Sequence, residues 1–497
     1  MLFELMSAMM INPDVDKLNL IAEAKPQNNK TVVSQSVELA KLNKNKSLTQ
    51  AFVIQEDNPT KVFYFNDIEK KYEPLVGKVV KDFSARKNNT SEFLKWVDLP
   101  AEQLAKRNGK SHLDEIYTQA NELKSRKDNV ERPLVILGIG GSKHTAEFLL
   151  NMNGVGNKGK VYFYSDIDPV SFENFLAEIN RPVQDLNFLV VSKSGTTFET
   201  KDSFIRFENL LIDYYKKSGM SDSQAISEAQ KHFALCTDKT PNSKNLRGKI
   251  GLKNGKDNNY IKELYIHDGV GGRFSMFDDA GLFAIAYAGV SKDNATRILK
   301  SANEMSKKCL STKLIDNPAM RSAIFSRFAE DYGYTLKQQQ YFGRIFEGGG
   351  ENWIKQLYLE SLKDFNFNAT KAPDSMHYAS EGFFFAQNRD KYHVVMTVMS
   401  PTISKNYEKY ISAILKSYAE KVPVEMEILD IENNAIKPES IGAYVQAKHF
   451  ETVYLGMLRR KAILEKSEKL PEVFQSNVEV YKNKFKPNSP YELAPGK

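Results

Sequence analysis

The stretch FLVVSKSGTTFET, residues 188–200, decides the fold class. Four apolar residues with the composition of a buried strand run straight into serine, lysine, serine, glycine and two threonines. Helical patterning follows in FETKDSFIRFENLLIDYYKK. A strand that breaks into small polar residues at a helix start gathers free backbone N–H groups and hydroxyls at one point, an arrangement suited to an anion. Taken alone, the packet is equally well a helix cap and a tight turn.

The same pattern repeats on either side. PLVILGIGG reads as a strand and glycine turn before the helix KHTAEFLLNM, VYFYSDIDP as a strand before SFENFLAEIN, and HFALCTD as a further strand. Short β-rich runs alternating with helical stretches predict an α/β fold with a parallel, doubly wound sheet flanked by helices. Downstream, GLFAIAYAG reads as a buried helix. DKYHVVMTVMSP and VEMEILDI then read as strands around the helical ISKNYEKYISAILKSYAEK, which predicts a second α/β unit. The expected organisation is a mainly helical segment over 1–125 packed on the second domain, a first α/β domain over 126–290, a second over 291–485, and a tail over 486–497.

Bulk properties narrow the function classes. A chain of 497 residues exceeds the size at which one core stops growing, so two domains are the default. Hydrophobic content of 41% and charged content of 26% are those of a globular protein. No run approaches the roughly 20 apolar residues of a membrane span. The opening MLFELMSAMM carries Glu4 and lacks a basic flank and a cleavage site, so no secretory signal is expected. Cys236 and Cys309 make no disulfide framework and suit a reducing cytoplasm. The net charge of +7 is modest, and lysine clusters such as KNKS (44–47) read as solvated surface, with no nucleic-acid motif beside them. A modest positive balance suits small phosphorylated anions.

Candidate chemistry sits at strand ends and in two later motifs. Ser142 follows GIGG, and Ser192, Lys193, Ser194 and Thr197 follow FLVV. Ligands of open parallel sheets collect at the carboxyl ends of the strands. GIGGS lacks the third glycine of a dinucleotide fingerprint and the GK[ST] of a Walker loop, so two hydroxyl-rich turns on neighbouring strands favour a phosphate monoester. In GGRFSMFDDAGLF, Arg273 is held between glycines and a serine before a buried helix, either as an ion-pair partner of Asp278 and Asp279 or facing a ligand. IKQLYLESLKDF places Gln356 and Glu360 four apart on one helix face, where a lone glutamate is ordinarily solvated. His377, in DSMHYASEGFFFAQ, precedes an aromatic run where packing or capping is the common fate. None of the seven histidines pairs with another at i,i+4, so the spacing points to no metal cluster.

GIGGS, SKSGTT, GGRFS, a QxxxE ahead of a histidine motif, and VFQSNVEVYK (473–482) occur in that order, and the set resembles the glucose-6-phosphate isomerase family from about residue 133 to residue 485. The resemblance implies two sugar-isomerase-type domains acting on a sugar phosphate without cofactor or metal. It implies a phosphate site at Ser142, Ser192, Lys193, Ser194 and Thr197, with Gly272 and Arg273 beside the substrate. Glu360 falls on the family's base and His377 on its ring-opening histidine, with Gln356, Gln475 and Lys482 completing the pocket. It further implies a cytoplasmic homodimer in which His377 reaches the partner's site. Val473-Phe474-Gln475, Ser476-Asn477, Leu362-Lys363-Asp364 and APDSM depart from the family's loops without deleting a functional group. A non-catalytic sugar-phosphate regulator built on the same domain, or an isomerase of a related sugar phosphate, are the alternative readings.

Overall fold

A computed structural model describes residues 49–53, 65–87, 93–125, 131–156, 160–193, 195, 197–239, 259–363, 366–371, 391–400, 403–419 and 422–459. In chain order the main elements begin with β1 (Thr49–Val53), α1 (Phe65–Arg86) and α2 (His112–Lys124). The first α/β unit continues with β2 (Leu134–Leu137), α3 (Gly141–Met152), β3 (Val161–Tyr164), α4 (Pro169–Ile179), β4 (Asn187–Val191), α5 (Phe198–Lys217), α6 (Asp222–Gln230), β5 (Phe233–Thr237) and β6 (Ile261–Tyr265). Helices α7 (Asp279–Ala288), α8 (Lys292–Cys309) and α9 (Pro318–Asp331) follow. The second unit is β7 (Leu336–Phe342), α10 (Gly349–Leu362), β8 (Phe367–Lys371), β9 (Tyr392–Met399), α11 (Lys405–Ala419), β10 (Val424–Leu429) and α12 (Pro438–Arg459).

The first sheet has the order β3-β2-β4-β5-β6, every pair parallel. Its inner strands β2 and β4 are buried on both faces, as LVIL and NFLVV anticipate for a sheet covered by helices on either side. The strand order reverses between β2 and β4, and the ends of those two strands carry GIGGS and SKSGTT. That crevice is where a doubly wound sheet binds its ligand.

The second sheet has the order β1-β10-β9-β7-β8, parallel except for β1, which runs antiparallel to β10. The first 125 residues therefore include an edge strand as well as helices. TQAFV is too short for a helical period, and its backbone completes the open edge of β10. The same segment supplies α1, which packs against α9 and α12. Helix α7 is buried along its whole length, as its alanine-rich sequence predicts, and α12 is buried from Ser440 to Met457. One hydrophobic core joins α1, α2, α3, α7, α8, α9, α10 and α12. No helix among the described residues is long and apolar enough to cross a membrane.

Candidate active site

Three sequence motifs meet at the end of β2. Gly140 has φ +55°, which favours glycine, and a Cβ there would lie 2.9 Å from Gln356 Nε2 on α10. A Cβ on Gly141 would collide with the backbone of Gly272, at 2.2 Å, and with Arg273 N, at 2.6 Å. The GIGGS turn, the GGRF turn and α10 can pack this closely only because both positions lack side chains.

Arg273 lies at the centre and is only 2% exposed. Its Nη1 donates to Glu360 Oε2 at 3.1 Å and its Nε to Ser361 Oγ at 2.8 Å, while its carbonyl accepts from Trp353 Nε1 at 3.0 Å. Burial makes an unpaired guanidinium costly, so this fork of partners fixes both its charge balance and its plane. Asp278 and Asp279 are not its partners. They bind His267 and His112 instead. Glu360 Oε1 accepts from Gln356 Nε2 at 2.9 Å, the i,i+4 pair expected from the sequence. Its side chain is 45% exposed, so the carboxylate is held from one side and open on the other. Beneath the GGRF turn, Phe274 stacks on Trp96, and His449 packs against Phe274 and Trp353. Burial pushes the His449 imidazole down to about 3, so it is neutral near pH 7.

The hydroxyl-rich turn lies along the adjoining strand end. Gly138 has Ser142 Cβ on one side and Val191 Cβ on the other, so close that a Cβ there would lie 3.2 and 3.3 Å from them. Ser142 is half-buried in the first turn of α3. Ser192 is buried, and its Oγ accepts from the Gly195 N–H at 3.0 Å. Lys193 Nζ pairs with Asp268 at 3.2 Å, tying this turn to the loop that carries Arg273. Thr197 is the N-terminal cap residue of α5, with no side-chain cap bond. Two helix starts and their hydroxyls thus adjoin the crevice, and their dipoles favour an anion there.

Gly272, Arg273, Gln356 and Glu360 are therefore brought together, with Ser142, Ser192, Lys193 and Thr197 along the adjoining strand ends. Ser194, His377, Gln475 and Lys482 lie outside the described residues. The sequence reading missed Ser361 and Trp353. Ser361 had a signal, being the residue directly after Glu360, whereas the Trp353 contact depends on tertiary packing alone.

Residues 105–342 match the family model for phosphoglucose isomerase. Glucose-6-phosphate isomerase of Staphylococcus haemolyticus is 31% identical over 287 residues, 55% of this chain and 56% of that protein. The enzyme of the same name from Clostridium novyi is 28% identical over 310 residues, 60% and 62% of the two chains. The chain thus spans somewhat more than half the length of these curated relatives. Among solved structures, a glucose-6-phosphate isomerase from Chlamydia trachomatis superimposes with a TM-score of 0.62 over 96% of this chain and 93% of its own, at 13% identity. A hypothetical protein from Thermus thermophilus does so with a TM-score of 0.67 over 84% and 95%, at 18% identity. At those identities the structural likeness speaks for the fold alone. Over residues 105–342 the chain is similar to the phosphoglucose isomerase family.

Proposed function

We propose that the protein is a glucose-6-phosphate isomerase, interconverting D-glucose 6-phosphate and D-fructose 6-phosphate in the cytoplasm, within glycolysis and gluconeogenesis. The observation that carries the proposal is the 3.1 Å pairing of Arg273 with Glu360 beside the GIGGS turn. A carboxylate open on one side and a buried guanidinium on the other are the two groups that proton transfer between adjacent sugar carbons requires.

In this reading Ser142, Ser192, Lys193, Ser194 and Thr197 bind the phosphate, and that remote binding holds C1 and C2 against Glu360. Glu360 takes the proton from the carbon next to the carbonyl and returns it to its neighbour, a positioned general base worth roughly 10²–10⁴-fold. The cis-enediol intermediate gathers negative charge on oxygen, and Arg273 answers it. Losing one such preorganised donor typically costs about 3–4 kcal/mol. Gln356, hydrogen-bonded to Oε1, sets the carboxylate's rotation and leaves Oε2 with Arg273. Ring opening falls to His377, whose ordinary pKa suits a donor near neutral pH, assisted by Lys482 and with Gln475 in the pocket. A homodimer in which His377 crosses to the partner's site completes the proposal.

The test is a coupled assay that follows glucose 6-phosphate formed from fructose 6-phosphate by the purified chain. Turnover that saturates with fructose 6-phosphate is the expected result. A chain that binds the sugar phosphate and never converts it would instead be a non-catalytic regulator.

A further inference from the structure

His112 opens α2, His267 lies in the loop after β6, and Asp279 opens α7. Their nearest ligand-type atoms all fall within 4.8 Å of one another. His112 Nε2 is 2.7 Å from Asp279 Oδ2, and His267 Nδ1 is 4.0 Å from Asp279 Oδ1. A tetrahedral ion bound at about 2.0–2.2 Å from nitrogen and oxygen would space its ligand atoms roughly 3.3–3.5 Å apart, so the Asp279 carboxylate must part from His112 and draw toward His267 to take one.

The surroundings are those of a metal site. Glu115 Oε2 lies 2.8 Å from the other nitrogen of His112, the carboxylate–histidine arrangement that orients a ligating ring. Asp278 Oδ1 lies 2.6 Å from His267 Nδ1 and would yield that nitrogen to the ion. The Asp279 carboxylate is itself fixed, Oδ1 by Gln103 Nε2 at 3.0 Å and Oδ2 by the Tyr265 N–H at 2.7 Å. Asp278 and Asp279 are buried neighbours, and with Glu115 they set three carboxylates around two imidazoles. Both rings keep a solvent-facing edge, at 18% and 25% exposure, which gives an ion a way in.

We propose that His112, His267 and Asp279 bind one divalent transition-metal ion of the zinc type. The nitrogen ligands exclude magnesium and calcium, which take oxygen. The site closes the loop between His267 and Asp279, which presents Arg273, and it plays no part in proton transfer on the sugar.

The experiment is calorimetric titration of the untagged, chelator-stripped full chain with zinc chloride, with magnesium chloride as the control. One zinc per chain is expected, with no magnesium binding and a zinc-dependent rise in the unfolding midpoint. His267→Ala should lose the binding and the rise together. Glu115→Gln, at a side chain 55% exposed and safe for folding, should weaken zinc about 10-fold. A wild type that binds no zinc, or a Glu115→Gln variant that binds it as tightly as wild type, overturns the proposal.

Discussion

At the centre of the first sheet, β2 and β4 bury Leu134, Ile136, Leu189 and Val190. In the second sheet β7 and β10, on either side of β9, bury Lys337, Gln339, Glu425 and Glu427. The parallel strands follow the same order in both sheets, so topology does not require an apolar interior. In the second unit, charge is balanced internally. Lys337 Nζ lies 2.6 Å from Glu451, and Lys448 Nζ lies 2.6 Å from Glu427 and 2.8 Å from Glu451. Thr397 Oγ1 donates to Glu427 at 3.0 Å and Ser322 donates to Glu425. Tyr358 also donates to Glu451 from α10, two residues before Glu360, so the network anchors the helix that carries the proposed base. Burial, and then the charges of Glu451 and Glu427, push Glu425 up to about 8. Burial works against Glu451 too, but Lys337 and Lys448 outweigh it and hold that carboxyl down at about 2.

Breaking one member of the network should have the largest effect on stability. Lys448→Met leaves Glu427 and Glu451 short of a cation, and a loss of about 3–5 kcal/mol is expected in urea unfolding. The matching test in the first sheet is Leu189→Ala, with an expected loss of about 2–4 kcal/mol from transfer and cavity. The two losses should differ in character. The Leu189→Ala loss should hold constant across pH, whereas the Lys448→Met loss should change as the paired carboxylates titrate. Equal pH profiles would erase the distinction between the sheets.

A smaller effect comes from two buried histidines. His393, in β9, and His449, in α12, are both held down to about 3, chiefly by burial. Each folded value lies below the unfolded one, so below pH 6.5 the unfolded chain binds the extra proton. Their contribution is present above pH 6.5 and is lost as pH falls toward 3. Each should remove about 1.4 kcal/mol between pH 7.5 and 5.5. Unfolding at the two pH values, with His449→Gln beside wild type, should show that slope reduced by one group's share. At the small end, the exposed Lys292–Asp114 pair at 2.7 Å should be worth less than about 1 kcal/mol, read from Lys292→Ala.

The contrast also explains what the sequence disclosed. β2 and β4 of the first sheet are apolar runs with glycine in the turns that follow, so FLVV and PLVIL announced themselves, and those turns supplied the proposed phosphate motifs. LKQQQYF did not read as an inner strand, because the charge of Lys337 is balanced there by Glu451, 114 residues away. The Gln356–Glu360 pair was legible because it is local to one helix turn. The contact of Gly141 with Gly272 was not, since nothing in either turn names the other. His112 and Asp279 lie 167 residues apart, beyond any spacing rule, and their cluster appears only in the fold. Arg273 had two readings in sequence. Its geometry favours Glu360 because the histidines had already taken Asp278 and Asp279.

The central claim is that the Glu360 carboxylate, held by Arg273 and Gln356, carries the proton between sugar carbons. The most direct measurement compares wild type with Glu360→Gln for turnover of fructose 6-phosphate and, separately, for its binding. The variant keeps the size and the Gln356 contact of the side chain but removes the base. The account predicts that kcat falls by about 10²–10⁴-fold while fructose 6-phosphate still binds. A variant that turns over within a few-fold of wild type would contradict it.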